Sequence, residues 1–194
     1  MKGKKIVNIL FVMAVIILLI TLGGIKIAKT LYPMKYSEDI LKYSKKYDVD
    51  PYLVCSVIKA ESNFKPDAKS KQNAYGLMQI TPDTAEWAAK EMKLENFETK
   101  DLYDPEMNIN MGCWYLSNLK KEFNNIDLVL AAYNGGRGNV QKWLSDPKHS
   151  PDGRTLQYIP FKETDQYVKK VKVNYNIYKF LYDNKKWYFK MLGL

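Results

Sequence analysis

The sequence predicts an all-α fold, and two kinds of signal support that prediction. Three segments place a capping side chain directly before a proline: Asp50-Pro51, Thr81-Pro82 and Asp104-Pro105. A cap followed by proline at the first helical position is typical of a helix start. Apolar residues recur at helical spacing through much of the chain, and no stretch of useful length shows the alternation that is typical of a strand.

The first element is an apolar segment long enough to cross a membrane. Residues 6–25 form a stretch of 20 residues that carries no charge and only two polar side chains. As a helix, such a stretch spans the roughly 30 Å hydrocarbon core of a bilayer. Three lysines stand among the first five residues. The positive-inside rule then predicts a cytoplasmic N-terminus, with the rest of the chain on the extracytoplasmic side.

A cleaved signal peptide is the alternative interpretation of this segment. The apolar run exceeds the usual signal core of about 7–15 residues, and no clear small-x-small cleavage site follows it. No cysteine comes directly after the run, which disfavours a lipoprotein anchor. We therefore expect a cytoplasmic tip and single-pass membrane anchor over residues 1–25, a linker over residues 26–35 and a helical domain over residues 36–194.

Within that domain the expected helices follow one another in order. Aromatic and aliphatic residues at positions 36, 40, 43 and 47 predict the first helix, and the three cap-proline signals begin the next three. Asp127 starts a further helix over residues 128–133, which Asn134-Gly135-Gly136 ends. The last helix follows Pro160. Its apolar side carries Val168, Val171, Tyr175, Tyr178 and Tyr182.

The charge of the chain is strongly positive and comes almost entirely from lysine. The formal net charge is +9, and Arg137 and Arg154 are the only arginines. Proteins that bind specific DNA sequences usually use arginine forks on base edges, so we expect no nucleic-acid partner. A lysine-rich surface suits diffuse attraction to a polyanion, such as an anionic cell-wall polymer or membrane face. Simple solvation of the surface is the alternative.

The cysteines do not indicate a metal site or a thiol nucleophile. Cys55 and Cys113 are far apart, and His149 is the only histidine, so no cluster of metal ligands is expected. His149 lies in a loop rich in Pro, Gly and Ser, which disfavours a catalytic Cys-His pair. A disulfide in an exported domain and two separately buried thiols both remain open.

Glu61 is the candidate catalytic residue. It continues the apolar face formed by Val54, Val57 and Ile58 at helical spacing. Burial of a carboxyl group disfavours its charged form and raises its pKa. A glutamic acid that is still protonated near neutral pH donates a proton to a glycosidic oxygen. The alternative is a glutamate at a helix end that stays solvated or pairs with a lysine.

Three sequence blocks together resemble a known catalytic domain. They are Glu61-Ser62 with the GLMQ turn at residues 76–79, AYNGG at residues 132–136, and IPFKET at residues 159–164. In this order and spacing they resemble the lytic transglycosylase catalytic domain, which has a lysozyme-like fold and cuts the glycan strands of peptidoglycan. The resemblance covers roughly residues 36–182. It implies a lysozyme-like catalytic domain behind the membrane helix.

The resemblance also implies roles for individual residues. Glu61 becomes the catalytic acid and then the base. The residues that it implies for substrate binding are Ser70, Met78, Gln79, Tyr133, Asn134, Glu163 and Tyr167. Each implied role has a structural alternative: Ser70 as a turn residue, Met78 as a core residue, and the segment after Tyr133 as a helix end.

Three positions depart from the family pattern. Asn73 and Gly135 replace a glycine and an alanine of the family pattern, and Asp165 replaces its arginine. Asparagine adopts left-handed backbone readily, so the turn at Asn73 is expected to survive. Gly135 is expected to loosen the loop, which weakens the role of Asn134. Gly76 is expected to permit close backbone approach at the cleft.

The implied reaction is non-hydrolytic cleavage of the β-1,4 bond from N-acetylmuramic acid to N-acetylglucosamine. The 6-hydroxyl of the muramic acid attacks its own C1, which gives a 1,6-anhydro end, with assistance from the N-acetyl group. The resemblance implies no metal and no organic cofactor. It implies peptidoglycan glycan strands as the partner, in addition to the membrane that the N-terminal helix contacts, and it indicates no protein partner. A hydrolytic muramidase and a catalytically silent glycan-binding module are the alternatives.

Overall fold

The computed structural model describes the backbone of residues 2–183 and the side chains of residues 10–13 and 15–183. The chain divides into two compact units. One is Met34–Tyr178, and the other combines the residues up to Pro33 with those from Lys179 onward. Residues 184–194, which the sequence assigns to the helical domain, lie outside the described residues.

The smaller unit contains the long N-terminal helix α1, Lys2–Leu31. By length and composition, its segment Leu10–Leu31 is long and apolar enough to cross a membrane, and none of that segment is buried within the protein. The helix continues to Leu31, so most of the segment 26–35, for which we predict a linker, is helical. The domain boundaries themselves stay a prediction. At the other end of this unit, the Tyr182 hydroxyl donates to the Tyr32 carbonyl at 2.8 Å.

The larger unit is helical, and the all-α prediction is confirmed. Among residues 2–183 no strand forms beyond two isolated bridges, Lys69 with Tyr75 and Tyr75 with Ile80. A 3₁₀ helix, Thr99–Tyr103, stands before α5. The α-helices are α2 (Ser37–Tyr47), α3 (Pro51–Glu61), α4 (Pro82–Glu91), α5 (Pro105–Glu122), α6 (Ile126–Gly135), α7 (Arg137–Ser145) and α8 (Lys162–Tyr182).

The predicted helix starts are confirmed by their caps. Asp50, Thr81 and Asp104 accept hydrogen bonds from backbone amides of the following turn at 2.8, 3.4 and 2.8 Å. Helix α6 is capped by Asn125 rather than by Asp127, whose own amide donates to the Asn125 side chain at 2.8 Å. These bonds satisfy backbone donors that a helix leaves unpaired at its first turn.

Helix α7 is absent from the sequence prediction, and a single glycine explains its position. Gly136 adopts φ 89°, a left-handed value, and it ends α6 while beginning α7 at the next residue. Asn134 and Gly135 therefore belong to helix α6 and not to a loop. The expectation that Gly135 loosens a loop is wrong.

Helix α5 forms the centre of the larger unit, with α2, α4 and α6 packed against it. Its buried face includes Ile109, Met111 and Leu116. Cys113 on this helix and Cys55 on α3 are both free and buried, and burial raises the pKa of each thiol to about 12. The cysteines therefore pack as small apolar side chains.

His149 lies beside Tyr158 and Asp146. Its ring contacts Tyr158 edge to face, with centroids 5.2 Å apart, and its Nε2 lies 3.7 Å from Asp146. The absence of a catalytic Cys-His pair stays a prediction.

Candidate active site

An open cleft of about 720 Å³ brings together residues from all three sequence blocks. The end of α3, the turn that follows it, the end of α6 and the start of α8 supply its walls. The lining residues are Glu61, Ser70, Gln72, Ala74, Gln79, Thr81, Tyr133, Asn134, Gly135, Pro160, Phe161, Lys162, Glu163 and Thr164. The blocks are up to about a hundred positions apart in the chain, so their convergence is a product of the tertiary fold.

Glu61 is the last residue of α3 and lies partly buried in the cleft wall. Burial raises the pKa of its carboxyl group to about 7, and the like charge of Glu163 adds to this rise. The Tyr167 hydroxyl and the Lys170 ammonium group act in the opposite direction. Lys170 is held near this helix end because its Nζ donates to the Ala60 carbonyl at 2.7 Å. The carboxyl group is therefore present in both protonation states near neutral pH.

Tyr167 is a buried residue and does not lie on the open cleft surface. It is only 8% exposed, and it is not among the cleft-lining residues. Within the described part of the chain, its hydroxyl has no hydrogen-bond partner of ordinary geometry. This hydroxyl is beside the Glu61 carboxyl group, whose pKa it lowers. This buried position does not agree with the direct substrate contact that the resemblance implies for Tyr167.

The turn at residues 76–79 is held by a buried asparagine that the sequence analysis did not identify. Asn108 accepts from the Met78 amide at 2.8 Å through Oδ1, and its Nδ2 donates to the carbonyls of Leu102 and Tyr75 at 2.8 and 2.9 Å. A polar residue four positions before Gly112, on the buried side of α5, is the sequence signal for this role.

Gly76 allows this turn to approach the protein interior. Its φ is 74°, and a Cβ at this position would lie 2.2 Å from the Leu102 carbonyl oxygen and 2.3 Å from Asn108 Nδ2. The close approach expected for Gly76 is therefore made to the domain interior and not to a molecule in the cleft.

Met78 is a core residue. It is 0% exposed, and its sulfur would lie 2.2 Å from a Cβ at Gly112, so the two residues are in close contact. The cleft-lining role implied for its side chain is therefore corrected. The backbone of Met78 does reach the site, because its carbonyl accepts a hydrogen bond from the Tyr133 hydroxyl at 2.8 Å. This bond ties the end of α6 to the turn.

Ser70 and Gln79 line the cleft and also stabilise the turn. The Ser70 hydroxyl accepts from the Ala74 amide at 3.1 Å, and Gln79 Nε2 donates to the carbonyls of Gly76 and Ala68 at 2.9 and 3.1 Å. Asn73 adopts φ 63°, as we expect for asparagine in the place of glycine. The side-chain oxygen of Gln79, Oε1, makes no hydrogen bond within residues 2–183, so it is available for a ligand.

The opposite wall comes from α6 and the start of α8. Asn134 and Tyr133 are partly buried there, and Glu163 is exposed at the rim. A Cβ at Gly135 would lie 2.9 Å from Thr164 Oγ1, so this glycine permits close packing between the two helices. Asp165, which stands where the family pattern has arginine, pairs with Lys169 at 2.6 Å.

Two cleft residues have no signal in the sequence analysis. They are Gln72 and Ala74, while Phe161, Lys162 and Thr164 are present there only as members of the IPFKET block. Thr81 appears there only as a helix cap, and the structure places it at the cleft as well.

A helical domain with a glutamic acid of raised pKa in an open, mainly polar cleft is typical of the lysozyme-like class of enzymes. Residues 38–155 match the family model described as the Transglycosylase SLT domain. This segment is more than half of the chain, and the chain belongs to that family. The resemblance that the sequence blocks indicate is thereby confirmed.

Named relatives and a solved structure agree with this membership. The chain is 35% identical over 143 residues to the soluble lytic murein transglycosylase of Salmonella typhimurium. That alignment covers 72% of this chain and 22% of the relative. It is 36% identical over 125 residues to the membrane-bound lytic murein transglycosylase C of Photorhabdus laumondii, covering 59% of the chain and 35% of the relative.

The crystal structure of the 70-kDa soluble lytic transglycosylase of Escherichia coli superposes with a TM-score of 0.70 at 31% identity. The alignment covers 79% of this chain and 25% of that structure. The chain therefore spans about a quarter of the length of the soluble relatives that it matches.

Proposed function

We propose that the chain is a membrane-anchored lytic transglycosylase that cuts peptidoglycan glycan strands between N-acetylmuramic acid and N-acetylglucosamine. The observation that supports this proposal most directly is the position of Glu61. Its carboxyl group is partly buried, has a pKa of about 7, and stands in a cleft whose walls are the three family blocks. Such a group is matched to proton donation and proton removal at neutral pH.

In the proposed reaction Glu61 acts twice. The protonated carboxyl group first donates its proton to the glycosidic oxygen as the bond to C1 breaks. The resulting carboxylate then accepts the proton of the muramic acid 6-hydroxyl as that oxygen bonds to the same C1. The product carries a 1,6-anhydro ring, and no water is consumed. The substrate's N-acetyl group assists at C1, in place of a protein nucleophile.

The distribution of carboxylates in the cleft favours this reaction over hydrolysis by an ordinary retaining mechanism. That mechanism needs a second carboxylate about 5–5.5 Å from the acid. Among the described residues that line the cleft, Glu163 is the only other carboxylate, and it is exposed at the rim. We assign Glu163 an electrostatic role, because its charge adds to the rise of the Glu61 pKa.

The remaining cleft residues are proposed to hold the sugars. Asn134 and the side-chain oxygen of Gln79 provide hydrogen-bonding groups for the hydroxyl and acetamide substituents of the sugars. Ser70 combines its turn role with a hydroxyl at the cleft surface. Tyr133 is proposed to contact the reacting sugar through its ring, since its hydroxyl is bonded to the Met78 carbonyl.

The products of cleavage distinguish a transglycosylase from a muramidase on the same fold. We expect purified peptidoglycan digested with this protein to release anhydromuropeptides, each lighter than the hydrolytic product by one water. Mass spectrometry of the digest measures this difference, and a digest made with a hydrolytic muramidase provides the reference. Muropeptides that carry only reducing ends would instead assign hydrolysis, and complete absence of cleavage would favour a silent glycan-binding module.

We propose a single-pass topology with the catalytic domain outside the membrane. The support is α1, whose segment Leu10–Leu31 suits a membrane span, together with the lysines at its start. Protease added to intact protoplasts is expected to remove the domain and leave a short membrane-bound stub. A cytoplasmic marker protein that stays uncleaved is the control. A mature protein that begins after residue 25 and is released into the medium would contradict the anchor.

A further inference from the structure

The end of helix α8 contacts the residue that follows the apolar segment of α1. Tyr32 comes directly after Leu31, where both α1 and its apolar segment end. The Tyr32 carbonyl accepts a hydrogen bond from the Tyr182 hydroxyl at 2.8 Å. The ammonium group of Lys29 lies over the Tyr182 ring, with 5.2 Å between Nζ and the ring centroid. The last turn of α8 is therefore held against the C-terminal end of α1, within the smaller unit.

These contacts fix the depth of Tyr182 relative to a bilayer that α1 crosses. The uncharged apolar run ends at residue 25, and Lys29 lies four residues later, which is about 6 Å along a helix that rises 1.5 Å per residue. The headgroup layer on each side of the hydrocarbon core is about 5–8 Å thick. In the proposed topology Lys29 and the Tyr182 ring therefore lie at the level of the extracytoplasmic headgroups, a layer in which tyrosine is enriched.

The last turn of α8 also exposes an aromatic side chain. Phe180 is 54% exposed, whereas its neighbour Leu181 is buried. Lys179, directly before Phe180, is the basic residue of this helix end. Removal of an apolar ring from water is favourable, and lysines are attracted to anionic headgroups. The described part of the smaller unit therefore carries the residue types of a membrane-surface contact.

The sequence that follows has the same composition. Residues 184–194, which lie outside the described residues, contain three lysines and no acidic residue. Trp187, Tyr188 and Phe189 stand between the second and the third of these lysines. Tryptophan and tyrosine are enriched where a bilayer meets water. Three lysines among the first seven residues disfavour insertion into the hydrocarbon core, so the segment suits the membrane surface and not a second span.

We propose that residues 179–194 form a second membrane contact, which binds anionic lipid headgroups beside the end of α1. The aromatic side chains enter the interface, and the lysines pair with lipid phosphates. The larger unit, Met34–Tyr178, is then attached to the membrane at both of its ends. A domain attached at both ends reaches less far from the bilayer than one attached at a single end. The proposal rests on the single-pass topology proposed above, and it is independent of the reaction assigned to Glu61.

Trp187 reports the contact in the full chain. The chain is incorporated into nanodiscs of phosphatidylcholine and phosphatidylglycerol whose acyl chains are either ordinary or brominated, because bromine quenches tryptophan emission at short range. Trp187 is one of four tryptophans, so brominated lipid is expected to lower the wild-type emission by roughly a tenth to a quarter. Trp187→Phe should remove most of this loss. Trp143→Phe, the same change at a buried residue of α7, should retain it.

The lipid composition tests the partner of the lysines. Nanodiscs of phosphatidylcholine alone are expected to give at most half of the quenching seen with phosphatidylglycerol present. Each lysine near an anionic surface strengthens binding by about fivefold. Replacing Lys185, Lys186 and Lys190 together with glutamine should therefore abolish the difference between the two kinds of disc.

The matched control removes the same charge from exposed positions of the larger unit. It replaces Lys65, Lys90 and Lys93 with glutamine. This variant should keep the wild-type difference between the two kinds of disc. Circular dichroism of each variant shows whether the fold is retained.

Three results would overturn the proposal. Equal quenching of the wild-type chain and of Trp187→Phe would place the segment away from lipid, as in packing against the protein. Equal quenching in both kinds of disc would exclude anionic headgroups as the partner. A chain that leaves the discs during size-exclusion chromatography would contradict the proposed anchor, and this proposal would fail with it. Glycan cleavage assayed on the same samples records the enzymatic assignment separately.

Discussion

Replacing Glu61 with glutamine is expected to reduce glycan cleavage by about 10²–10⁴-fold, the usual contribution of general acid–base catalysis. The amide keeps the shape of the side chain but has no proton to donate at neutral pH. Release of soluble fragments from purified peptidoglycan measures the loss. Asp67→Asn, the same chemical change at an exposed residue in the following loop, is expected to retain activity within twofold. Near wild-type cleavage by Glu61→Gln would show that the catalytic assignment is wrong.

The same substitution is expected to stabilise the fold at alkaline pH. Burial raises the pKa of Glu61 from an ordinary value of 4.5 to about 7, so between these values the folded protein holds a proton that the unfolded chain has released. The free energy of unfolding of the wild-type protein therefore falls as pH rises across this window. Glutamine has no such dependence. Glu61→Gln should therefore be more stable by roughly 2–3 kcal/mol at pH 8, and nearly equal at pH 4.

Urea unfolding at the two pH values measures this difference, and activity assays on the same samples separate it from catalysis. A variant that loses activity and also loses stability at pH 8 would indicate a structural role for Glu61. Loss of activity together with a gain of stability is the pattern expected for a functional carboxyl group whose burial lowers the free energy of unfolding.

Replacing Gly76 with alanine is expected to destabilise the larger unit by roughly 3 kcal/mol or more. The residue has φ 74°, which a residue with a Cβ adopts at a cost. The added methyl group would also lie 2.2 Å from a backbone oxygen of Leu102, which cannot move as a side chain end does. We expect the turn to shift away from Asn108, with loss of the hydrogen bonds that hold it. Urea unfolding followed by circular dichroism measures the change.

Gly138→Ala is the matched control for this prediction. Gly138 lies in helix α7 without a positive φ, and no described atom lies within 4 Å of a Cβ at this position. Alanine is the better helix former, so the substitution should leave the free energy of unfolding unchanged or raise it by up to about 1 kcal/mol. Equal destabilisation by both variants would contradict the role assigned to Gly76.

Local signals in the sequence predict the helix starts because each one depends on a few neighbouring residues. Asp50, Thr81 and Asp104 cap the helices that they are expected to cap, since a side-chain oxygen and a following proline act within one turn. The same reasoning missed α7. Asn134-Gly135-Gly136 carries a stop signal, and the backbone angle that turns one helix directly into another at Gly136 has no separate signal in the sequence.

The site residues divide in the same way. The periodicity of α3 places Glu61 on an apolar face, and from this face the sequence predicts the raised pKa that the structure has. Met78 and Tyr167 carry the family pattern equally well, yet both are buried. A pattern of residue types does not distinguish a side chain that touches a ligand from one that supports the residue that does.

Composition, periodicity and short motifs predict the all-α class, the apolar N-terminal segment, the family and the raised pKa of Glu61. Three contacts depend instead on packing in three dimensions: Asn108 with the Met78 amide, the Tyr133 hydroxyl with the Met78 carbonyl, and the Arg137 guanidinium over the Trp87 ring. Each of these contacts joins residues 30 to 55 positions apart. Such distances are closed by packing around α5, and no local pattern encodes them.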